Sequence, residues 1–271
     1  MTAGYGPLAE AMLHGRPLTE PVIDIHCHIG QYYVFYAPDQ DARGMIDVMD
    51  AVGVKHAAVS AHISWAAEAA LGNDLVAAAC RSYPGRFIGY ASANPNYPET
   101  VLDELKRCFD ELGFRLIKLH PSVHQYRLID KVYELVFEFA EKRGAPILTH
   151  TWDRDLHCSL EMAAEVSRRH PAVTFLWAHA SSSFDRAYEL AADLPNAYLE
   201  LCYSVVLNGQ LEYFLKSAPP EKVLFGSDFS FISLPQQLAR VVFAKVPESV
   251  KRKILYENSA RILEAAGVAL L

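Results

Sequence analysis

A short apolar, β-rich run, then a loop, then a stretch of helical period: this unit recurs along the chain and constrains its fold more than any other feature. The expected strands are Val22–Ile29, His56–His62, Phe87–Ala93, Phe114–His120, Pro146–Trp152, Val173–Ala180, Ala197–Ser204 and Lys222–Phe229. Helical stretches are expected at Ala42–Val52, Ala66–Tyr83, Pro98–Leu112, Lys131–Arg143, Leu160–His170, Phe184–Leu194, Gly209–Ser217 and Leu234–Lys245. Gly53, Gly113 and Gly144 follow helical runs, where a positive φ ends a helix well; Pro171 and Pro195 follow others and cannot continue them. Strands that read as continuous apolar runs between amphipathic helices belong to a parallel sheet covered on its outer face. Eight such units in roughly 250 residues match a closed (β/α)8 TIM barrel. An open doubly wound sheet is the alternative, but it would carry a Gly-rich turn after the first strand, and none is present. No repeat, low-complexity tract or Pro/Ser-rich linker divides the chain, so residues 1–271 read as one domain. Within it, residues 1–20 form an extension with a short helix, and 247–271 form a closing helix pair.

The first strand reads V-I-D-I-H-C-H-I-G and carries Asp24, His26 and His28 at alternate positions. On a regular strand these three share one side, and Ile23, Ile25, Cys27 and Ile29 the other. Two imidazoles one strand-step apart can bind one cation from a single element; zinc takes histidine nitrogens at about 2.0–2.1 Å. The other unusual polar groups also gather at the C-terminal ends of strands. Lys118 and His120 end the fourth, His150 the fifth, His179 the sixth and Asp228 the eighth. In a barrel these ends form one ring, and that face holds the active site. Packing does not explain so many desolvated imidazoles, so a metal site is the expectation.

The order and spacing of these motifs resemble the amidohydrolase superfamily, in its amidohydrolase-2 branch of aminocarboxymuconate-semialdehyde-decarboxylase-like proteins. The likeness runs from D-I-H-C-H at 24–28 through I-K-L-H-P at 117–121, T-H-T at 149–151, W-A-H-A at 177–180 and L-F-G-S-D-F at 224–229, to E-N-S-A-R-I-L at 257–263. The resemblance implies that His26, His28, His150 and Asp228 ligate one divalent metal, usually zinc, with manganese, iron or cobalt as alternatives. It implies that His179 stands beside the metal-activated water as base or polarising group. Asp228, ligand and proton acceptor at once, would steer that water, so Asp228 and His179 are the expected catalytic pair. E-N-S-A-R resembles the family's closing helix and is structural.

Such a site supports hydrolysis of a small carbonyl compound: an ester, lactone or amide. The same site can promote loss of CO2 from an aromatic or unsaturated acid, and the resemblance covers both outcomes. A barrel that binds metal or a small ligand without turnover is the remaining alternative. Lys118, His120, Trp152 and Tyr203 are expected to touch substrate, with Lys118 a free amine rather than a carbamylated bridge between two metals. Asp24 is expected to make a structural bond. The aromatic loop G-Q-Y-Y-V-F-Y at 30–36 either walls the substrate or covers the barrel top, and Trp65 and Phe229 lie at other strand ends. Arg127, Arg154 and His157 lie in loops on the same face and are candidates to bind a substrate carboxylate, with exposed surface charge the commoner explanation for each arginine.

Composition narrows the partners. A net charge of -7 argues against a general nucleic-acid binder. Five cysteines without CxxC spacing suit reduced thiols rather than disulfides. The N-terminal segment lacks the apolar core of a signal peptide, and no apolar run is long enough for a membrane span. The expectation is a cytoplasmic protein acting on a small molecule. A homodimer is expected from the resemblance.

Overall fold

The computed structural model describes residues 6–34, 36–205 and 207–270. Its strands are β1 (Ile23–Ile29), β2 (His56–Ala61), β3 (Phe87–Ser92), β4 (Leu116–Leu119), β5 (Ile147–His150), β6 (Phe175–Ala178), β7 (Ala197–Glu200) and β8 (Val223–Leu224). They stand in chain order in one sheet, with every neighbouring pair parallel. The last strand returns to the first: Ile25 N donates to Phe225 O at 3.1 Å and Asp228 N to His26 O at 2.7 Å. The chain therefore forms the (β/α)8 barrel that its alternating pattern implies.

Two apolar layers hold it. Inside the barrel, Ile23, Ile25, Ala58, Tyr90, Leu116, Leu148, Leu176 and Leu224 form one buried cluster. The opposite strand faces, such as Ile117, Ile147, Trp177 and Leu199, pack outward against the helices. The helix Asn258–Ala265 adds Ala260, Ile262 and Leu263 to the inner cluster and so plugs the N-terminal end. Asn258 secures it by donating to Pro220 O and Val223 O, which gives the E-N-S-A-R segment its structural role. With one end plugged, polar groups can gather only at the other.

Several boundaries differ from expectation. The fourth to eighth strands end earlier than the apolar runs that mark them, because their last residues leave the ladder to present polar side chains; His179 and Asp228 take φ of 60° and 59°. The helix expected at Ala66–Tyr83 is present as Ala69–Ser82, and a short helix that was not expected, His62–Ala66, precedes it. The closing helix pair is one run, in which Glu248–Arg252 passes through a π-helical turn into Asn258–Ala265.

β1 departs from strict alternation. Its register against β2 shifts between Asp24 and Cys27. Ile23 and Ile25 belong to the inner cluster, whereas Cys27 and Ile29 belong to the outer one. A bulge inserts one residue and reverses the phase beyond it. His26 and His28 therefore share the inner side as expected, but Asp24 does not share it with them. Asp24 accepts instead from His26 N at 3.2 Å and from Ser227 N at 3.0 Å, with Ser227 Oγ beside it. It makes the expected structural bond, tying β1 to the segment after β8.

All five cysteines are free thiols. Among the described residues no helix is long and apolar enough to cross a membrane.

Candidate metal centre

His26 and His28 are each gripped from behind. His26 Nδ1 lies 3.1 Å from Glu200 Oε2, and His28 Nδ1 lies 3.0 Å from Ser60 Oγ. Their Nε2 atoms meet 3.2 Å apart. Asp228 Oδ1 completes a triangle, 3.5 Å from His26 Nε2 and 3.0 Å from His28 Nε2. A carboxylate behind His26 requires the proton on Nδ1 and leaves Nε2 bare. Ligands bound at 2.0–2.1 Å around a tetrahedral cation stand roughly 3.3 Å apart. The triangle has edges of that length, and the face of the three acceptors is the face a cation would take.

Other expected residues close around it. The buried Lys118 Nζ donates to His26 Nε2 at 2.9 Å. His26, His179 and Asp228 offer ligand atoms that all lie within 4.8 Å of one another. His179 Nδ1 is buried without a hydrogen-bond partner among the described residues. The His150 ring stands 4.7 Å from that of His179 at 63° and lies flat on His120, 4.1 Å away at 12°. His120 in turn stacks on Trp65 at 4.6 Å. Trp152 lies 5.8 Å from His179 and 5.3 Å from Tyr203. Every residue singled out from the sequence for metal, catalysis or substrate thus lies in one neighbourhood at the barrel mouth.

The family model described as Amidohydrolase, the amidohydrolase-2 family, matches residues 23–265. The chain belongs to this amidohydrolase-2 family. It is 36% identical over 81 residues to a 2-amino-3-carboxymuconate-6-semialdehyde decarboxylase of Dictyostelium discoideum; the match spans 30% of this chain and only 23% of that relative. A TIM-barrel protein of Bordetella bronchiseptica, titled as uncharacterised, superposes with a TM-score of 0.77 at 20% identity, over 91% of this chain and 99% of that one. A 5-carboxyvanillate decarboxylase of Novosphingobium aromaticivorans, complexed with manganese and 4-hydroxy-3-methoxy-5-nitrobenzoic acid, gives 0.72 at 14% identity, over 91% and 96% of the two chains.

The electrostatics of this amidohydrolase-2 site follow from burial. Desolvation pushes His26, His28, His120 and His150 well below the usual imidazole range. It takes His179 down to about 4, although Asp228 opposes the shift. These rings are neutral near pH 7, the state a metal ligand needs. Burial lowers the Lys118 amine to about 8, against the pull of Asp228 and Glu200. Asp228 is raised by burial, and the neighbouring His179 and Lys118 oppose that. The donor set of neutral imidazoles and one carboxylate fits a divalent cation.

Three residues were not singled out from the sequence. Glu200 ends β7 inside an otherwise apolar run, and an acid in such a run was the available signal. Ser60 offers none by itself. His62 follows β2, donates through Nδ1 to Gly30 O at 2.6 Å and stacks on Phe231 at 4.2 Å. Tyr32 packs on Phe231 at 4.6 Å, so part of the loop after β1 borders the site; Tyr33 and Tyr36 are exposed, and Phe35 lies outside the described residues. Phe229 is buried in the outer layer, as packing. Arg127 pairs with Asp130, Arg154 is 92% exposed and His157 stands 3.9 Å from Asp155, so these three serve the surface.

Proposed function

We propose that this chain is a metal-dependent, non-oxidative decarboxylase of an aromatic or otherwise unsaturated carboxylic acid. The observation that carries the reading is one juxtaposition. The His26–His28–Asp228 triangle and the buried amine of Lys118 share a barrel mouth walled by aromatic rings. We assign His26, His28, His150 and Asp228 as ligands of one divalent cation, zinc or manganese foremost, and His179 with Asp228 as the proton-handling pair. The cation supplies Lewis-acid stabilisation of negative charge on substrate oxygens.

The chain's own residues do the rest. Once the His26 Nε2 lone pair is committed, Lys118 Nζ loses its acceptor and turns to the nearest new one, a substrate carboxylate. Trp152 and Tyr203 offer flat faces to a planar substrate, while His120, stacked between His150 and Trp65, offers its edge. Breaking the bond to the carboxyl group releases CO2 and leaves its electron pair on the ring or alkene carbon. That carbon takes one proton, drawn from water and relayed through His179 or Asp228, so that water is left as hydroxide.

Hydrolysis, the first expectation from the sequence, is the second reading. The family's description as an amidohydrolase supports it, whereas the decarboxylase relatives favour loss of CO2. Incubation of the metal-loaded protein with a panel of aromatic and unsaturated acids, esters and lactones in 18O-labelled water separates them. Decarboxylation gives CO2 and an organic product one carbon shorter and free of label. An ester or lactone opened to an acid that carries one labelled oxygen, with no CO2 released, transfers the assignment to hydrolysis. Tight binding with no turnover on any compound favours the non-catalytic barrel.

A further inference from the structure

Glu200 is wholly buried, and three donors converge on its carboxyl group. Oε2 accepts from His26 Nδ1 and from His179 N, each at 3.1 Å; Oε1 accepts from Cys202 N. Two of these partners are backbone N–H groups that can only donate, and an ionised carboxylate accepts from both and from His26 when its proton sits on Nδ1. The other ring nitrogen of His26 lies beside Lys118 Nζ and Asp228 Oδ1, where the cation of the proposed function would sit.

The chain also reserves space for this group. A Cβ on Gly226 would lie 2.5 Å from Glu200 Oε1 and 2.7 Å from its carboxyl carbon. The glycine of G-S-D is thus a requirement of volume: it lets the segment after β8 pass close to the carboxylate on its way to Asp228.

We propose that Glu200 is a positioning residue for the metal centre, resting on the metal reading above, with Gly226 as the gap that admits it. Glu200 fixes His26 as the Nδ1–H tautomer with Nε2 turned to the cation. Through the same oxygen it ties the backbone of His179 to that ring, so one group sets both a ligand and the acid–base residue. Carboxylates behind ligating histidines orient the ring and raise its basicity.

The test compares full-length wild type with Glu200→Gln, Glu200→Asp and Gly226→Ala, using zinc and cobalt(II) as probes. Affinity is read by chelator competition, and site geometry by the visible absorption of the cobalt form. In Glu200→Gln the amide NH2 must face a backbone or ring N–H, so affinity is expected to fall by about 10–100-fold and the cobalt spectrum to change. The same unpaired donors are expected to lower the melting temperature of the metal-free variant, so affinities are compared at a temperature where both metal-free proteins are folded. Gly226→Ala, which keeps the carboxylate but displaces it, is expected to weaken affinity in the same sense, and it stands in if Glu200→Gln does not fold. Glu200→Asp recovers part of the affinity. Wild-type affinity and spectrum in the folded Glu200→Gln variant overturn the positioning role while leaving the metal reading intact. A wild-type chain that takes up neither probe overturns both.

Discussion

Asp228 and His179 both hold left-handed backbone torsions, φ 59° and 60°. Such torsions cost a non-glycine residue energy and cluster where a side chain must be aimed. Here the surroundings enforce them: Asp228 N donates to His26 O, and His179 N to Glu200. The roles proposed for His150 and His179 can be separated. His150→Ala is expected to lose metal and activity together, and His179→Ala to keep metal and lose activity. Metal content by elemental analysis decides; because His179 shares a 4.8 Å cluster with His26 and Asp228, an empty His179→Ala site would make it the ligand. Lys118→Met removes the amine without opening a cavity. It is expected to keep the metal and lose about 100-fold or more in kcat/KM, read by steady-state kinetics on whichever acid proves to be the substrate.

A residue outside the site supplies a pH test. His124 bonds the Tyr133 hydroxyl through Nδ1 at 2.9 Å, and burial lowers its imidazole from 6.5 to about 4. Between those values the unfolded chain binds a proton that the folded chain refuses. Its contribution is therefore complete above pH 6.5 and is lost as pH falls toward 4, about 3 kcal/mol in all. His124→Gln keeps a partner for Tyr133 and does not titrate, so its melting temperature is expected to fall less steeply over that window. An unchanged slope would show that His124 does not carry the acid sensitivity.

At the scale of elements, the short helix His62–Ala66 connects packing to the site. It carries Trp65, which stacks on His120, and it sits against Ala69–Ser82 with no room to spare. A Cβ on Gly72 would lie 2.4 Å from Ser64 Cβ and 2.6 Å from Ser64 N. Gly72→Ala must push the two helices apart, at about 1–3 kcal/mol. Calorimetry is expected to show a lower melting temperature, and kinetics a raised KM as Trp65 and His120 shift. Loss of stability with KM unmoved would separate this helix from substrate binding. The short helix His62–Ala66 was not legible in the sequence, because five residues carry too little of a helical period to stand out beside the apolar run of β2. The bulge in β1 was equally hidden: alternation describes a regular strand, and an inserted residue changes which side chains face inward without changing their order. His26 and His28 stayed together because both lie beyond the inserted step, whereas Asp24 lies before it.

At the scale of the whole molecule, the proposed cation joins β1 and β5 to the segment after β8, across the seam where the barrel closes. Binding only the folded state, it stabilises by about 2.7 kcal/mol when present at a hundred times its dissociation constant. Stripping it with a chelator is expected to lower the melting temperature by several degrees, and readding metal to restore it. A melting temperature indifferent to verified metal removal would mean that the centre does not span the seam.

The alternating apolar and amphipathic segments by themselves determined the eight-stranded barrel, and the H-x-H, T-H-T, A-H-A and G-S-D segments determined which polar groups stand at its mouth. Both are local information, since periodicity and strand-end position are written within a few residues. Only the tertiary structure decided that Glu200 stands behind His26, 174 residues away in the chain, that Ser60 holds His28, and that Gly226 is a space for a carboxylate. Those facts depend on which strands become neighbours across the barrel and how deeply each side chain is desolvated, and neither quantity exists until the barrel has closed.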